Sequence, residues 1–322
     1  MSEYRLVTRS DFDGLVCAVL LRKLNMIGDI LFVHPKDVQD GVVEVTDRDI
    51  LTNLPYAPGA FLVLDHHHSE SERLGDVAGV PAQRRANHVL MPDAPSAARV
   101  VYQHFGGAAA FPDITEDLMR AVDQADSAQY SKDDILNPQG WTLLNFLMDS
   151  RTGLGRFRDF RVSNYQLMME LIEYCATHQN VDDILQIPDV AERVALFQQQ
   201  RPLFEAQLKR VTTMHGDVAM VDLRGEETIH AGNRFMVYAL NPDCRVSVHV
   251  IWGRNKQNTV LAVGKSILDR TSPVDIGKVM LHYGGGGHVA AGTCQIDHAD
   301  SERVLAEVLE AMQTPREQPV TV

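Results

Sequence analysis

The sequence predicts an α/β protein with a mainly parallel sheet domain flanked by helices, a helical connector, and a second, smaller α/β domain. Three observations lead there. Short apolar runs alternate with helix-like segments through the first half of the chain, the pattern of strands joined by crossover helices. A Gln- and Arg-rich stretch at 190–211, broken only by Pro202, reads as a connector helix between two bodies. After Gly216 the pattern changes to closely spaced short strands and ends on a glycine cluster. A length of 322 residues suits about two domains, each large enough to bury a core without staples.

Taken in order, residues 4–8 read as a strand, 15–24 as a helix, and 30–34, 49–54 and 61–64 as strands. Residues 95–106 and 115–126 read as helices. The second begins at Thr115 as N-cap, with acidic residues in its first turn, where the helix dipole favours them. Helical character continues through 164–177 and 190–211. Strands are then expected at 218–222, 235–240, 246–252 and 260–263, followed by a helix at 274–281 and the glycines at 284–287. The boundaries that follow are 1–190 for the first domain, 191–215 for the connector, 216–315 for the second domain, and 316–322 for a loose tail.

Composition narrows the function. Hydrophobic residues at 45% and charged residues at 23% are ordinary for folded proteins, which excludes disordered and fibrous classes. Thirty Lys and Arg against 43 Asp and Glu give a formal charge of -13, the wrong sign for gripping long duplex nucleic acid through a broad basic face. An anionic ligand must therefore be small and met locally. Cys17, Cys175, Cys244 and Cys294 are far apart with no Cys-x-x-Cys spacing, and no signal segment or membrane-length apolar run is present, so free thiols and a cytoplasmic location are expected.

Ligands of parallel sheets sit at the carboxyl ends of the strands, so acidic and histidine residues that follow strands are the first candidates. Ser10-Asp11-Phe12-Asp13-Gly14 follows the first strand and opens a helix; its carboxylates could share one cavity or could simply cap the helix. Asp65-His66-His67-His68 follows an apolar run and combines oxygen and nitrogen donors suited to manganese, iron or zinc. Asp126 closes a helix and adds a further carboxylate, with Asp123 equally available. In Gly284-Gly285-Gly286-Gly287-His288, four glycines imply positive φ or close backbone approach; the amides could form an anion-binding nest, reinforced by the N-terminus of a following helix. Arg151-Thr152-Gly153-Leu154-Gly155-Arg156 is either a phosphate-holding turn or a helix end with solvated arginines.

Together these segments resemble the DHH phosphoesterase superfamily: Asp11 and Asp13 match its first motif, Asp65 to His67 its Asp-His-His, and Gly285 to Gly292 its C-terminal Gly-Gly-Gly-His-x-x-Ala-Ala-Gly. The resemblance covers nearly the whole chain in the right order and is greatest to exopolyphosphatase-related members. It implies hydrolysis of a phosphoester with divalent metal, manganese above magnesium. Asp11, Asp13 and His67 take the catalytic positions, and Asp11, Asp13, His66 and Asp126 the metal positions. Arg9, Asn53, Arg234, Arg270, Gly285, Gly286, Gly287 and His288 take the substrate positions.

Two departures matter. Arg9 stands where the family commonly has a metal-binding histidine, and Asn53 where it has a bridging aspartate, unless Asp47 or Asp49 is the match. Together the two changes add +2 of charge, that of one divalent ion, so one ion or none is expected rather than two. The implied substrate is a short single-stranded oligonucleotide, a cyclic dinucleotide or a nucleoside bisphosphate. Binding without hydrolysis and exopolyphosphatase-type phosphate release are the alternatives. No membrane partner is expected, and a homodimer is compatible.

Overall fold

The computed structural model describes residues 4–67, 70 and 85–313. His68 and the expected loose tail lie outside the described residues. The chain divides into two compact units, 1–129 with 138–196, and 130–137 with 197–322; the second junction falls inside the long helix Pro188–Val211.

The first unit is built on a five-stranded sheet, β1 (Tyr4–Thr8), β2 (Ile27–Phe32), β3 (Asp49–Thr52), β4 (Leu62–Asp65) and β5 (His88–Leu90), in the order β2-β1-β3-β4-β5. Every pair is parallel. Helix α1 (Phe12–Lys23) follows β1 and is buried continuously from Phe12 to Leu21, as the run of apolar residues requires. The chain leaves β1 toward β2 on one side and β3 on the other, so a crevice forms at the carboxyl ends of β1 and β3. β5 is only three residues long, too short to stand out in the sequence.

Beyond the sheet come α2 (Pro35–Gln39), α3 (Ala97–His104) and α4 (Glu116–Asp126). Thr115 is the N-cap of α4, its hydroxyl accepting from Leu118 N. After α5 (Lys132–Leu136), which belongs to the second unit, the first unit resumes with α6 (Gly140–Met148), α7 (Asn164–Cys175) and α8 (Val181–Leu185). No helix among the described residues is long and apolar enough to cross a membrane.

After the long helix α9 (Pro188–Val211), the second unit carries a mixed sheet of β6 (Thr212–His215), β7 (Val218–Asp222), β8 (Val246–Trp252), β9 (Thr259–Lys265), β10 (Gly286–His288) and β11 (Ala291–Ile296). Its order is β10-β11-β9-β8-β7-β6, with only β7 and β8 parallel. One face packs a core of Val246, Val248, Val250, Leu261 and Val263 against α11 (Ile276–His282) and α12 (Ser301–Met312).

Two expectations are corrected here. Residues 235–240 form a helix, α10 (Met236–Leu240), not a strand. A short, wholly apolar run cannot be told from a strand by periodicity. Asn233 decides it, because its side chain accepts from Phe235 N and its carbonyl from Met236 N, turning the chain into a helical first turn. The glycine cluster is followed by the antiparallel hairpin β10–β11, not by a helix. Gly284, at φ +74°, ends α11 with Gly284 N on Leu281 O and Gly285 N on Met280 O. The next glycines then let the two strands come together: a Cβ on Gly285 would lie 2.1 Å from Thr293 O, and one on Gly287 2.3 Å from Ala291 O.

Candidate active site

The first unit's site lies along the carboxyl edge of its sheet. The first turn of α1, just after β1, delivers Asp13; the ends of β3 and β4 deliver Asn53 and Asp65, His66 and His67; and the C-terminus of α4 delivers Asp126. Ligand atoms of Asp13, His66 and Asp126 all lie within 4.8 Å of one another, as do those of Asp65, His66 and His67.

Asp13 is 2% exposed, and its two oxygens accept from Ala98 N at 2.8 Å and Ala97 N at 3.0 Å, the first amides of α3. Those bonds orient the carboxylate while leaving each oxygen further lone pairs. Burial pushes the Asp13 carboxyl up to about 8, with Asp126 adding to the effect and His66 and the Ala98 amide opposing it. His66 Nδ1 donates to Ala94 O at 3.0 Å, which turns Nε2 toward Asp126 Oδ2 at 2.9 Å. That ion pair sets Nε2 and the Asp126 carboxylate side by side, and both lie within 4.8 Å of an Asp13 oxygen. Burial opposes charge on His66, yet Asp126 and Asp13 override it and raise the imidazole to about 9. Burial likewise works against the Asp126 carboxylate, but His66 holds it below its ordinary value.

Beside this group, His67 Nδ1 donates to the fully buried Asp65 at 2.7 Å. Burial opposes charge there too, and Asp65 raises the imidazole above its ordinary value. The His67 side chain is 41% exposed, so Nε2 can face a ligand. Asp65 Oδ2 and both amide atoms of Asn53 are buried and have no hydrogen-bond partner among the described residues. Orphaned oxygens next to a convergent Asp–His–Asp set fit a hard divalent cation and its hydration.

The other expected residues fall as follows. Asp11 does not join either donor group. Its Oδ1 accepts from Gly14 N as the N-cap of α1, and its Oδ2 lies 3.1 Å from Arg9 Nε. Asn53 is fully buried at the end of β3 with φ +56°. Asp49 pairs with Arg5 at the opposite end of β3, away from the crevice. Asp123 is sorted from Asp126 by its partners, Ser96 and Arg99. In the basic turn, Arg156 Nε donates to its own Gly153 O at 3.3 Å.

In the second unit, His288 lies exposed on β10, its Nδ1 accepting from Ala290 N. Arg234 stacks over Phe235 at 4.1 Å, and Arg270 Nε donates to Ile267 O. Sequence reasoning missed the Ala94–Ala98 stretch, which holds both Asp13 and His66 through backbone groups. The only signal was Ser96 as an N-cap after an unrecognised strand.

A parallel sheet that gathers its aspartates and histidines at one crevice, followed in the chain by a glycine–histidine hairpin on a second sheet, is the DHH phosphoesterase arrangement, and the chain belongs to that superfamily. It is similar over nearly its full length to the pGpG-specific phosphodiesterase PggH from Vibrio cholerae, at 54% identity over 96% of this chain and 98% of that one, with a TM-score of 0.82. The fold is also shared, at low identity, with an exopolyphosphatase-related protein from Bacteroides fragilis (12%, 96% and 92% of the two chains, TM-score 0.53). RecJ from Thermus thermophilus in complex with manganese shares it as well (14%, 97% and 53%, TM-score 0.52). No family model matches the chain, and no curated protein matches its sequence.

Proposed function

We propose that this chain is a metal-dependent phosphodiesterase that cleaves the linear dinucleotide pGpG with water to give two mononucleotides. The observation that carries the reading is the convergence of Asp13, His66 and Asp126 on one position, in a chain 54% identical to a pGpG-specific phosphodiesterase. These three residues would hold one divalent ion, manganese, which supplies Lewis acidity toward a phosphoryl oxygen and a nucleophile at neutral pH. Arg9, paired with Asp11 at the same crevice, supplies the positive charge that a second ion would otherwise bring. Asn53, neutral where a carboxylate would attract that ion, supports the same count.

His67 is the general acid. Its Nδ1 is fixed by Asp65, and its elevated affinity for a proton lets Nε2 protonate the leaving oxygen. Asp11 keeps Arg9 directed at the crevice, where the guanidinium takes a phosphoryl oxygen. In the second unit, Gly285, Gly286, Gly287 and His288, with Arg234 and Arg270, form the substrate-binding element, recognising phosphate through backbone amides and cationic side chains. A net charge of -13 favours so short a substrate over long nucleic acid.

The test is chromatography of products from pGpG incubated with manganese, alongside metal analysis of the loaded protein. Two mononucleotides per pGpG, abolished by chelation and in Asp13→Ala, and one ion per chain are expected. Release of inorganic phosphate with the dinucleotide link intact would overturn the diester reading, and two bound ions would overturn the single-ion centre.

A further inference from the structure

The three donors of the centre come from three separate elements: the start of α1, the end of β4 and the end of α4. Nothing in any one element sets their mutual spacing. The Ala94–Ala98 stretch touches two of them, since Ala94 O receives the His66 ring proton and the Ala97 and Ala98 amides hold the two Asp13 oxygens. The third donor, Asp126, sits one helical turn beyond Asp123 on α4. Asp123 in turn grips the stretch: Ser96 Oγ donates to Asp123 Oδ1 at 2.7 Å while accepting from Arg99 N, and Arg99 Nε donates to Asp123 Oδ2 at 2.9 Å. Ser96 is fully buried, and Arg99 and Asp123 are 15% and 17% exposed, so the joint is largely shielded from water.

We infer that Asp123 is a positioning residue for the metal centre, which with Ser96 and Arg99 clamps the α3 cap to α4 and so sets the spacing between Asp13, His66 and Asp126. The inference rests on the metal reading of that site. Asp123 touches neither ion nor substrate in this scheme. Its action runs through a closed circuit from α4 to Ser96, to the Ala97 and Ala98 amides, to Asp13, and across the ion position back to α4. Outer partners of this kind govern metal affinity about 10- to 100-fold.

Manganese binding by calorimetry and the electron paramagnetic resonance spectrum of bound Mn²⁺ test it on the full chain. Asp123→Asn preserves shape but opposes an amide to Arg99; its manganese Kd is expected to weaken about 10- to 100-fold, with a broadened resonance spectrum and partial recovery in Asp123→Glu. Val122→Ala, a cavity one residue away in the same helix, is the control, lowering Tm while leaving Kd and spectrum at wild-type values. If Asp123→Asn does not fold, Ser96→Ala, which breaks the clamp from the other side, is read in its place. Wild-type manganese binding in the clamp variants, or equal weakening in Val122→Ala, overturns the inference alone. A wild-type chain that takes up no manganese overturns the metal reading and this inference with it.

Discussion

Gly14→Ala is the sharpest perturbation of the site, because two local rules give it opposite signs. As a helix substitution, alanine is favoured over glycine by about 1 kcal/mol. The geometry says otherwise, since a Cβ at Gly14 would lie 2.0 Å from Arg9 O and 3.0 Å from Thr8 Oγ1. Even a close C–H···O contact needs about 3.3 Å, so the turn between β1 and α1 must open by more than about 1 Å. Asp13 is the adjacent residue, and its bonds to the α3 amides are 2.8 and 3.0 Å long. A shift of about 1 Å takes both beyond hydrogen-bond range. Overpacking costs about 1–3 kcal/mol and stranding a buried carboxylate about 1–3 kcal/mol more. Net of the helical gain, a loss of about 1–5 kcal/mol is expected, or a Tm lower by roughly 2–20 °C for a unit of this size. Misplacing a reacting group by about 1 Å costs on the order of 100-fold in rate. Calorimetric melting, manganese titration and pGpG turnover read all three. A Gly14→Ala protein with wild-type manganese affinity and turnover would refute the reasoning, because the steric clash would then have been absorbed without moving Asp13.

Further outcomes follow from other contacts of the chain. In the ion-free protein His66 is raised to about 9 from 6.5, so its pairing with Asp126 stabilises the fold fully below about pH 6.5 and ceases to do so as pH rises through about 9. Manganese needs the neutral ring, so its affinity should increase over that same window, with proton release visible as a buffer-dependent heat of binding. At the far end of β3, Arg5 beside the nearly buried Asp49 offsets the cost of burial and holds that carboxyl below its ordinary value. That stability is present above about pH 4 and lost as pH falls through the depressed value, so Arg5→Gln should move acid unfolding, followed by circular dichroism, to higher pH. In the second unit, Gly285→Ala sets a Cβ 2.1 Å from Thr293 O and 2.7 Å from Cys294 Cα, both backbone. The hairpin cannot close around it, so pGpG binding should fall by at least about tenfold, with manganese binding in the first unit retained.

Much of the site was legible because its residues are marked by type and by place. Asp13 and His66 each follow an apolar strand, and Asp126 ends an amphipathic helix with a clear cap; none of this needs long-range information. The roles within the pairs were not legible. Asp11 and Asp13 share one turn, but only the packing of α3 against that turn makes Asp13 the residue held by two amides and leaves Asp11 to cap and to pair with Arg9. Asp123 and Asp126 lie one turn apart on one helix, and which of them meets a histidine depends on where β4 ends.

The sequence by itself determined the fold class, most of the strands of the parallel sheet, the family motifs and the expectation of a small anionic ligand, because periodicity, caps and charge act over a few residues or over the whole composition. Tertiary structure alone decided that the glycines close a hairpin and that the Ala94–Ala98 backbone orients the centre. Those outcomes rest on contacts between residues far apart in the chain, such as Asp13 with Ala98 or Gly285 with Thr293. Local propensity carries no record of which distant backbone will come within 3 Å.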